Sequence, residues 1–119
     1  MARLNHIAVT IAMSVLICVL AEELYSDRFD DIDVLSILQN KEVRMGYYNC
    51  FMKLAPCTSP EQIELTGTFS EAYQTKCKKC TEKQKKRMQV IEEWYVNNEP
   101  DEWKLIIEKT VENMKNAGQ

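Results

Sequence analysis

Histidine, glycine and proline are scarce in this sequence, and each shortage excludes a class of structure or chemistry. The single histidine is His6, so the rest of the chain has no imidazole for Ser-His-Asp or Cys-His catalysis or for a zinc site. The three glycines and three prolines form no Gly-rich phosphate loop, and there is no Asn-Gly or Asp-Gly hairpin turn. No Asn-x-Ser/Thr glycosylation acceptor is present either. We therefore expect neither an enzyme nor a protein that needs a metal or another cofactor.

The first 21 residues have the pattern of a secretory signal peptide. Arg3 supplies a short basic region, the stretch from Ile7 to Leu20 carries no charge, and Ala21 places a small residue at the cleavage site. An uncharged run of 14 residues is too short to cross a bilayer as a helix. We predict a secreted, extracellular monomer with one domain, residues 22–119, and no stable membrane insertion after cleavage.

The remaining residues predict an all-α fold, a compact bundle of five to six short helices. No stretch alternates apolar and polar residues for long enough to predict a strand. Four predicted helices begin after a capping residue, and these residues are Asp33, Asn40, Ser59 and Thr81. Gln62 and Gln84 stand three residues after the last two caps, in the position of a capping-box partner. Pro100 begins a fifth helix, predicted from Asp101 to about Met114.

Apolar residues recur at helical spacing in these segments, which predicts a core-facing side for each helix. The second helix is expected from Lys41 to about Leu54, where Pro56 would end it. Its predicted buried stripe consists of Val43, Tyr47, Cys50, Phe51 and Leu54.

Four cysteines of the predicted domain have the spacing C-x6-C-x19-C-x2-C, which is the most specific signal in the sequence. Of the three possible pairings, we favour Cys50–Cys57 and Cys77–Cys80, because each can close a small loop beside a helix end. A structural zinc site of four thiolates is a second interpretation, which the oxidising secretory route disfavours. A redox pair at Cys77 and Cys80 is a third, but the strand–helix unit of thioredoxin-like proteins is missing.

Four motifs around these cysteines resemble the insect chemosensory protein (OS-D-like) family. They are Phe29-Asp30-Asp31-Ile32-Asp33-Val34, Tyr47-Tyr48-Asn49-Cys50, Cys80-Thr81-Glu82-Lys83-Gln84 and Pro100-Asp101-Glu102-Trp103. The resemblance covers about Phe29 to Trp103. It implies a six-helix bundle with neighbour-paired disulfides and an internal channel for long apolar ligands, with Tyr47 and Trp103 at or near that channel.

The chain departs from the family pattern in two places. There are 19 residues between the second and third cysteines, where relatives often have 18, and Ser59-Pro60 stands at the expected insertion. The chain ends in VENMKNAGQ, where relatives often have an aromatic-rich tail with a final helix. Closure of the channel and ligand preference are therefore expected to differ from the family pattern.

The candidate ligand contacts are apolar-face residues, each of which alone is more often ordinary core than pocket. They are Tyr47, Phe51, Leu65, Phe69, Ile91, Trp94, Trp103 and Ile106. The chain also has a basic cluster, which we interpret as a solvated helix face and not as a nucleic-acid site, because the formal net charge is −3. This cluster consists of Lys76, Lys78, Lys79, Lys83, Lys85, Lys86 and Arg87.

The function predicted from these observations is a secreted carrier of small hydrophobic ligands such as fatty acids, long-chain alcohols, esters or semiochemicals. The alternative is a secreted developmental or interaction protein with a vestigial pocket, suggested by the altered tail. A redox factor using Cys77 and Cys80 is the third hypothesis.

Overall fold

The computed structural model describes residues 23–118, which form five α-helices and, within this range, no strand. The predicted signal peptide, residues 1–21, and its cleavage site lie outside the described residues. The bounds of the helices are α1 Val34–Gln39, α2 Lys41–Phe51, α3 Pro60–Gln74, α4 Glu82–Asn98 and α5 Pro100–Ala117. The predicted all-α fold is thus confirmed, with five helices in the described part of the chain.

The predicted capping residues begin four of the helices. The side chains of Asp33, Asn40, Ser59 and Thr81 each accept a hydrogen bond from a backbone N–H in the first turn of their helix. The capping box of Thr81 and Gln84 is complete. The side chain of Gln62 instead accepts from the N–H of Thr58, one residue before the cap, at 2.8 Å. These bonds satisfy N–H groups that have no partner inside the helix.

Helix α2 ends earlier than the sequence predicts, and the reason is a hydrogen-bonded C-terminal motif. Lys53 adopts a φ of 61°, in the left-handed region. Its N–H donates to the carbonyl of Cys50, and the N–H of Leu54 donates to the carbonyl of Asn49. This is the Schellman arrangement, which stops a helix without a proline. Leu54 is consequently 70 % exposed, so its predicted place in the buried stripe is wrong.

The same motif ends α3. Lys76 has a φ of 56°, and its N–H donates to the carbonyl of Tyr73, while the N–H of Cys77 donates to the carbonyl of Ala72. A left-handed lysine therefore precedes a short cysteine-bearing connection after both helices.

Both disulfides join neighbouring cysteines, as predicted. Cys50 in α2 pairs with Cys57 in the connection to α3, and their Cα atoms are 4.8 Å apart. Cys77 pairs with Cys80 in the connection between α3 and α4, at a Cα–Cα distance of 4.9 Å. All four sulfurs are thus engaged, which leaves no thiolate among them for the alternative zinc site.

The five helices form a closed ring in which each packs against two others. Going round the ring, the order is α1, α2, α3, α5, α4 and back to α1. The residues of the central core cluster come from α1, α2, α4 and α5, and they are Leu38, Phe51, Tyr95, Trp103 and Ile106. Such a ring directs the apolar face of every helix toward one shared interior.

Residues 25–33 lie across the start of α4 and are held there by polar side chains. Gln84 Nε2 donates to the carbonyl of Ser26 at 2.9 Å and to Asp30 Oδ1 at 2.8 Å. The hydroxyl of Thr81 donates to Asp30 Oδ2 at 2.7 Å. The residues that cap α4 therefore also fix the N-terminal arm over one end of the ring.

Candidate functional site

A cavity of about 130 Å³ lies inside the ring of helices. All five helices contribute to its wall, and most of the lining side chains are aliphatic or aromatic. An apolar cavity of about 150 Å³ in another protein stays dry and binds benzene. The volume inside this ring is therefore enough for part of an apolar guest before any side chain moves.

The structure brings together seven of the eight candidate ligand contacts predicted from the sequence. The residues that line the cavity are Tyr47 and Phe51 of α2, Leu65 and Phe69 of α3, Ile91 of α4, and Trp103 and Ile106 of α5. They approach from four different helices, so only the closed ring places them around one space. Their role in binding is a proposal, taken up below.

Trp94 is the one candidate that the structure places outside the cavity lining. The indole of Trp94 lies under the guanidinium of Arg44, and Arg44 Cζ is 4.8 Å from the centroid of the indole. Its edge meets Tyr95 at a centroid distance of 5.2 Å. A cation over the face of an indole is a favourable arrangement, and here it covers a half-buried Trp94 that packs against the core cluster without lining the cavity.

Trp103 lies at the centre of an aromatic wall on one side of the cavity. Its indole stacks on Tyr95 at 5.4 Å and meets Tyr73 and Phe69 edge to face, at centroid distances of 5.7 and 6.3 Å. Phe69 in turn meets Phe51 edge to face at 5.3 Å. These offset and perpendicular contacts give the wall a defined shape.

An ion pair joins α2 and α5, helices that do not neighbour each other in the ring, and its arginine lines the cavity. Arg44 is 6 % exposed, and its Nε lies 3.5 Å from Glu102 Oε1. Its Nη1 donates to the carbonyl of Leu38 at 2.9 Å, and the hydroxyl of Tyr95 donates to Glu102 at 3.1 Å. Arg44 is not among the predicted lining residues, because an arginine in a helical pattern normally indicates a solvated face.

A second polar group of lining residues lies beneath the N-terminal arm. Arg87 of α4 donates from Nη1 to the carbonyl of Phe29 at 3.2 Å, and its side chain is only 15 % exposed. Gln84 and Tyr25 border the same region. Arg87 was expected on a solvated face with the rest of the basic cluster, but it lies in the cavity wall.

Most other members of the basic cluster do lie at the surface, and three of them pair with carboxylates. Lys79 pairs with Glu71 at 3.5 Å, Lys85 pairs with Glu82 at 3.0 Å, and Lys83 pairs with Asp31 of the arm. Exposed pairs of this kind add little to stability.

All five tyrosines have a raised pKa, and burial is the largest cause for each of them, namely Tyr25, Tyr47, Tyr48, Tyr73 and Tyr95. Burial disfavours the phenolate, which would lose its hydration. For Tyr95, the charge of Glu102 and the hydrogen bond to it raise the pKa further.

We therefore expect the folded protein to lose stability as the pH rises above about 10, where tyrosines of the unfolded chain begin to ionise. The unfolded state then releases protons that the folded state still holds, so the free energy of unfolding falls with increasing pH. Urea titrations at several alkaline pH values measure this slope, and Tyr95→Phe should make it shallower. Equal phenolate titration midpoints for the native and the urea-unfolded protein would contradict the expectation.

Residues 23–118 offer neither a cluster of metal ligands nor a helix that could span a membrane. No three His, Cys, Asp or Glu side chains come together there as ligands for a metal ion. In the same range, every helix is too short or too polar to cross a bilayer.

Comparisons with known proteins relate both the sequence and the fold to one family. Residues 25–117 match the family model described as "Insect pheromone-binding family, A10/OS-D". The chain is 39 % identical over 87 residues to "Allergen Tha p 1" of Thaumetopoea pityocampa, an alignment that covers 73 % of this chain and 68 % of that protein. It is 35 % identical over 91 residues to "Ejaculatory bulb-specific protein 3" of Drosophila melanogaster, covering 76 % and 71 %.

Among solved structures, the chain is similar to one named "Chemosensory Protein in Complex with bromo-dodecanol". The two are 36 % identical in sequence and superpose with a TM-score of 0.68, over 75 % of this chain and 88 % of the other. The two proteins are therefore similar in sequence as well as in fold.

Proposed function

Because this chain belongs to the insect pheromone-binding A10/OS-D family, of chemosensory proteins, we propose that it is a secreted carrier of small hydrophobic molecules. The observation on which this rests is the apolar cavity of about 130 Å³ inside the helix ring. The name of the similar solved structure includes bromo-dodecanol, which supports the proposal of a ligand with a long alkyl chain. Long-chain alcohols, fatty acids and their esters are the proposed ligand classes.

We propose that the seven cavity-lining candidates contact the alkyl chain. Transferring a ten-carbon chain from water to this interior yields about 8 kcal/mol, at about 0.8 kcal/mol for each methylene. Lost translational and rotational freedom removes part of this gain. A dissociation constant of about 1 μM, which corresponds to about 8 kcal/mol, is therefore the upper end of the expected affinity.

Secretion is supported by the signal-peptide pattern and by the two disulfides, since oxidised cysteine pairs persist in extracellular compartments. One bridge joins Cys50 of α2 to the connection that follows it, and the other lies within the connection between α3 and α4. Residues 23–118 contain no strand, so Cys77 and Cys80 lack the strand–helix unit of thioredoxin-like redox proteins, which favours a structural role.

A ligand should change the fluorescence of one tryptophan and not of the other. Trp103 lines the cavity and Trp94 does not, and these are the two tryptophans of the chain. Adding dodecanol to the refolded protein should therefore displace a fluorescent apolar probe and alter tryptophan emission. Trp94→Phe should retain the emission change, while Trp103→Phe should remove most of it.

Native mass spectrometry provides the stoichiometry, expected to be one small ligand in a monomer. Failure of every apolar probe and alkyl ligand to bind a protein with native helicity would overturn the proposed function. Retention of the full emission change in Trp103→Phe would place the ligand outside the ring.

A further inference from the structure

A second, smaller cavity of about 50 Å³ adjoins the main one beneath the N-terminal arm. We call it the annex. The two cavities share five lining residues, which are Tyr25, Leu65, Thr68, Gln84 and Arg87. The annex differs from the main cavity in chemistry, since Glu64 and Asp30 also belong to its wall. It is therefore a polar extension at one end of an apolar space.

Glu64 gives the annex a buried acceptor that lacks a donor. Its Oε2 is inaccessible to solvent and has no hydrogen-bond partner. The hydroxyl of Thr68 donates to the backbone carbonyl of Glu64, and the hydroxyl of Tyr25 donates to Glu71. The amide of Gln84 donates to the arm. Because a buried acceptor without a donor is costly, this carboxylate oxygen favours a guest that brings a donor.

Arg87 supplies the complementary donors at the same place. Its Nη1 is engaged by the carbonyl of Phe29 and lies 3.9 Å from Asp30 Oδ1, while its remaining N–H groups can serve a guest. Glu64 attracts Arg87 through space, but no hydrogen bond or ion pair joins the two side chains. The annex therefore has one guanidinium, that of Arg87, and two carboxylates, those of Asp30 and Glu64. Its net charge is negative.

We infer that the annex receives the head group of the ligand and selects a hydroxyl over a carboxylate. The inference rests on the proposed carrier function and specifies its ligand as a long-chain alcohol. A hydroxyl can accept a hydrogen bond from Arg87 and donate one to Glu64 Oε2, so it satisfies both sides. A carboxylate head would add a third negative charge beside Asp30 and Glu64, and it has no proton to donate to Glu64.

The test compares three ligands, each with an unbranched twelve-carbon chain: dodecanol, dodecanoate and dodecyl methyl ether, which accepts a hydrogen bond but does not donate one. Their dissociation constants are measured by probe displacement at neutral pH, for the wild type, Glu64→Gln and the control Glu108→Gln. Glu108 is an exposed glutamate of α5, so its variant changes the net charge equally without touching the annex. For each pair of ligands, the ratio of the two dissociation constants is compared between the proteins. The free energy of hydration of each unbound ligand is the same for every protein, so it cancels in this comparison.

In Glu64→Gln, the preference for dodecanol over dodecanoate should fall about tenfold relative to the wild type, which corresponds to about 1.4 kcal/mol. The preference for dodecanol over the ether should also fall, since the amide is a weaker acceptor than the carboxylate. Glu108→Gln should leave both ratios unchanged. Ratios that are the same in all three proteins would overturn the inference while leaving the carrier function standing. Absence of binding by all three ligands would overturn both.

Discussion

Replacing Leu65 by tryptophan should weaken the binding of a long-chain ligand about fiftyfold, since about three methylenes displaced at about 0.8 kcal/mol each amount to about 2.4 kcal/mol. Leu65 projects from α3 at the junction of the main cavity and the annex. An indole at this position occupies the space that the chain of the ligand needs next to its head group. Probe displacement by dodecanol, measured on the purified variant, gives the change in affinity.

Ile63→Trp is the matched control for this substitution. Ile63 lies two residues earlier on the same helix and is 60 % exposed, so the added indole extends into water. Its affinity for dodecanol should stay within about twofold of the wild type, as expected for a surface change of this kind. Comparable losses in the two variants would show that the effect comes from α3 as a whole. Unchanged binding by Leu65→Trp would place the ligand elsewhere in the molecule.

Replacing Arg44 by methionine should lower the free energy of unfolding by about 3 kcal/mol, the cost of removing one partner from a buried ion pair. The change leaves Glu102 without its cation and the carbonyl of Leu38 without its donor. It also removes the guanidinium that covers Trp94. Urea unfolding followed by circular dichroism, with the disulfides intact, measures the loss. For a domain of this size it corresponds to a melting temperature lower by about 15 °C.

Two further variants separate the buried ion pair from general effects of charge. Lys85→Met breaks the exposed pair with Glu82 and should cost about 0.5 kcal/mol or less. The double variant Arg44→Met/Glu102→Leu removes both buried charges and should recover part of the stability lost in Arg44→Met. If Arg44→Met costs no more than Lys85→Met, the ion pair between α2 and α5 does not stabilise the ring.

The start of a helix could be predicted from the sequence more accurately than its end. Asp33, Asn40 and Thr81 accept backbone hydrogen bonds through their own side chains, so a local pattern of residue types is sufficient to locate them. The end of α2 depends on a lysine in the left-handed region, a conformation that glycine usually adopts. Residue type alone therefore did not identify this end, and Leu54 was assigned to the wrong side.

The candidate site was predictable where it consists of apolar residues and not where it is polar. Helical spacing identifies the buried side of each helix, and this correctly directed Phe69 and Ile106 to the interior. Whether a charged residue is buried depends on a partner from a distant part of the chain. Arg44 needs Glu102, and Arg87 needs the arm around Asp30. Trp94 lies outside the cavity lining, beneath a cation that comes from another helix.

The two disulfides each close a small loop beside the end of a helix, with sequence separations of 7 and 3. Neither bridge joins two helices, so the distances across the ring depend on the connections, on side-chain packing and on contacts such as the Arg44–Glu102 ion pair. We therefore expect that the interior can widen by movement of helix against helix without any disulfide being broken. In the proposed carrier, such a widening would accommodate guests of several lengths with no change in the oxidation state of the protein.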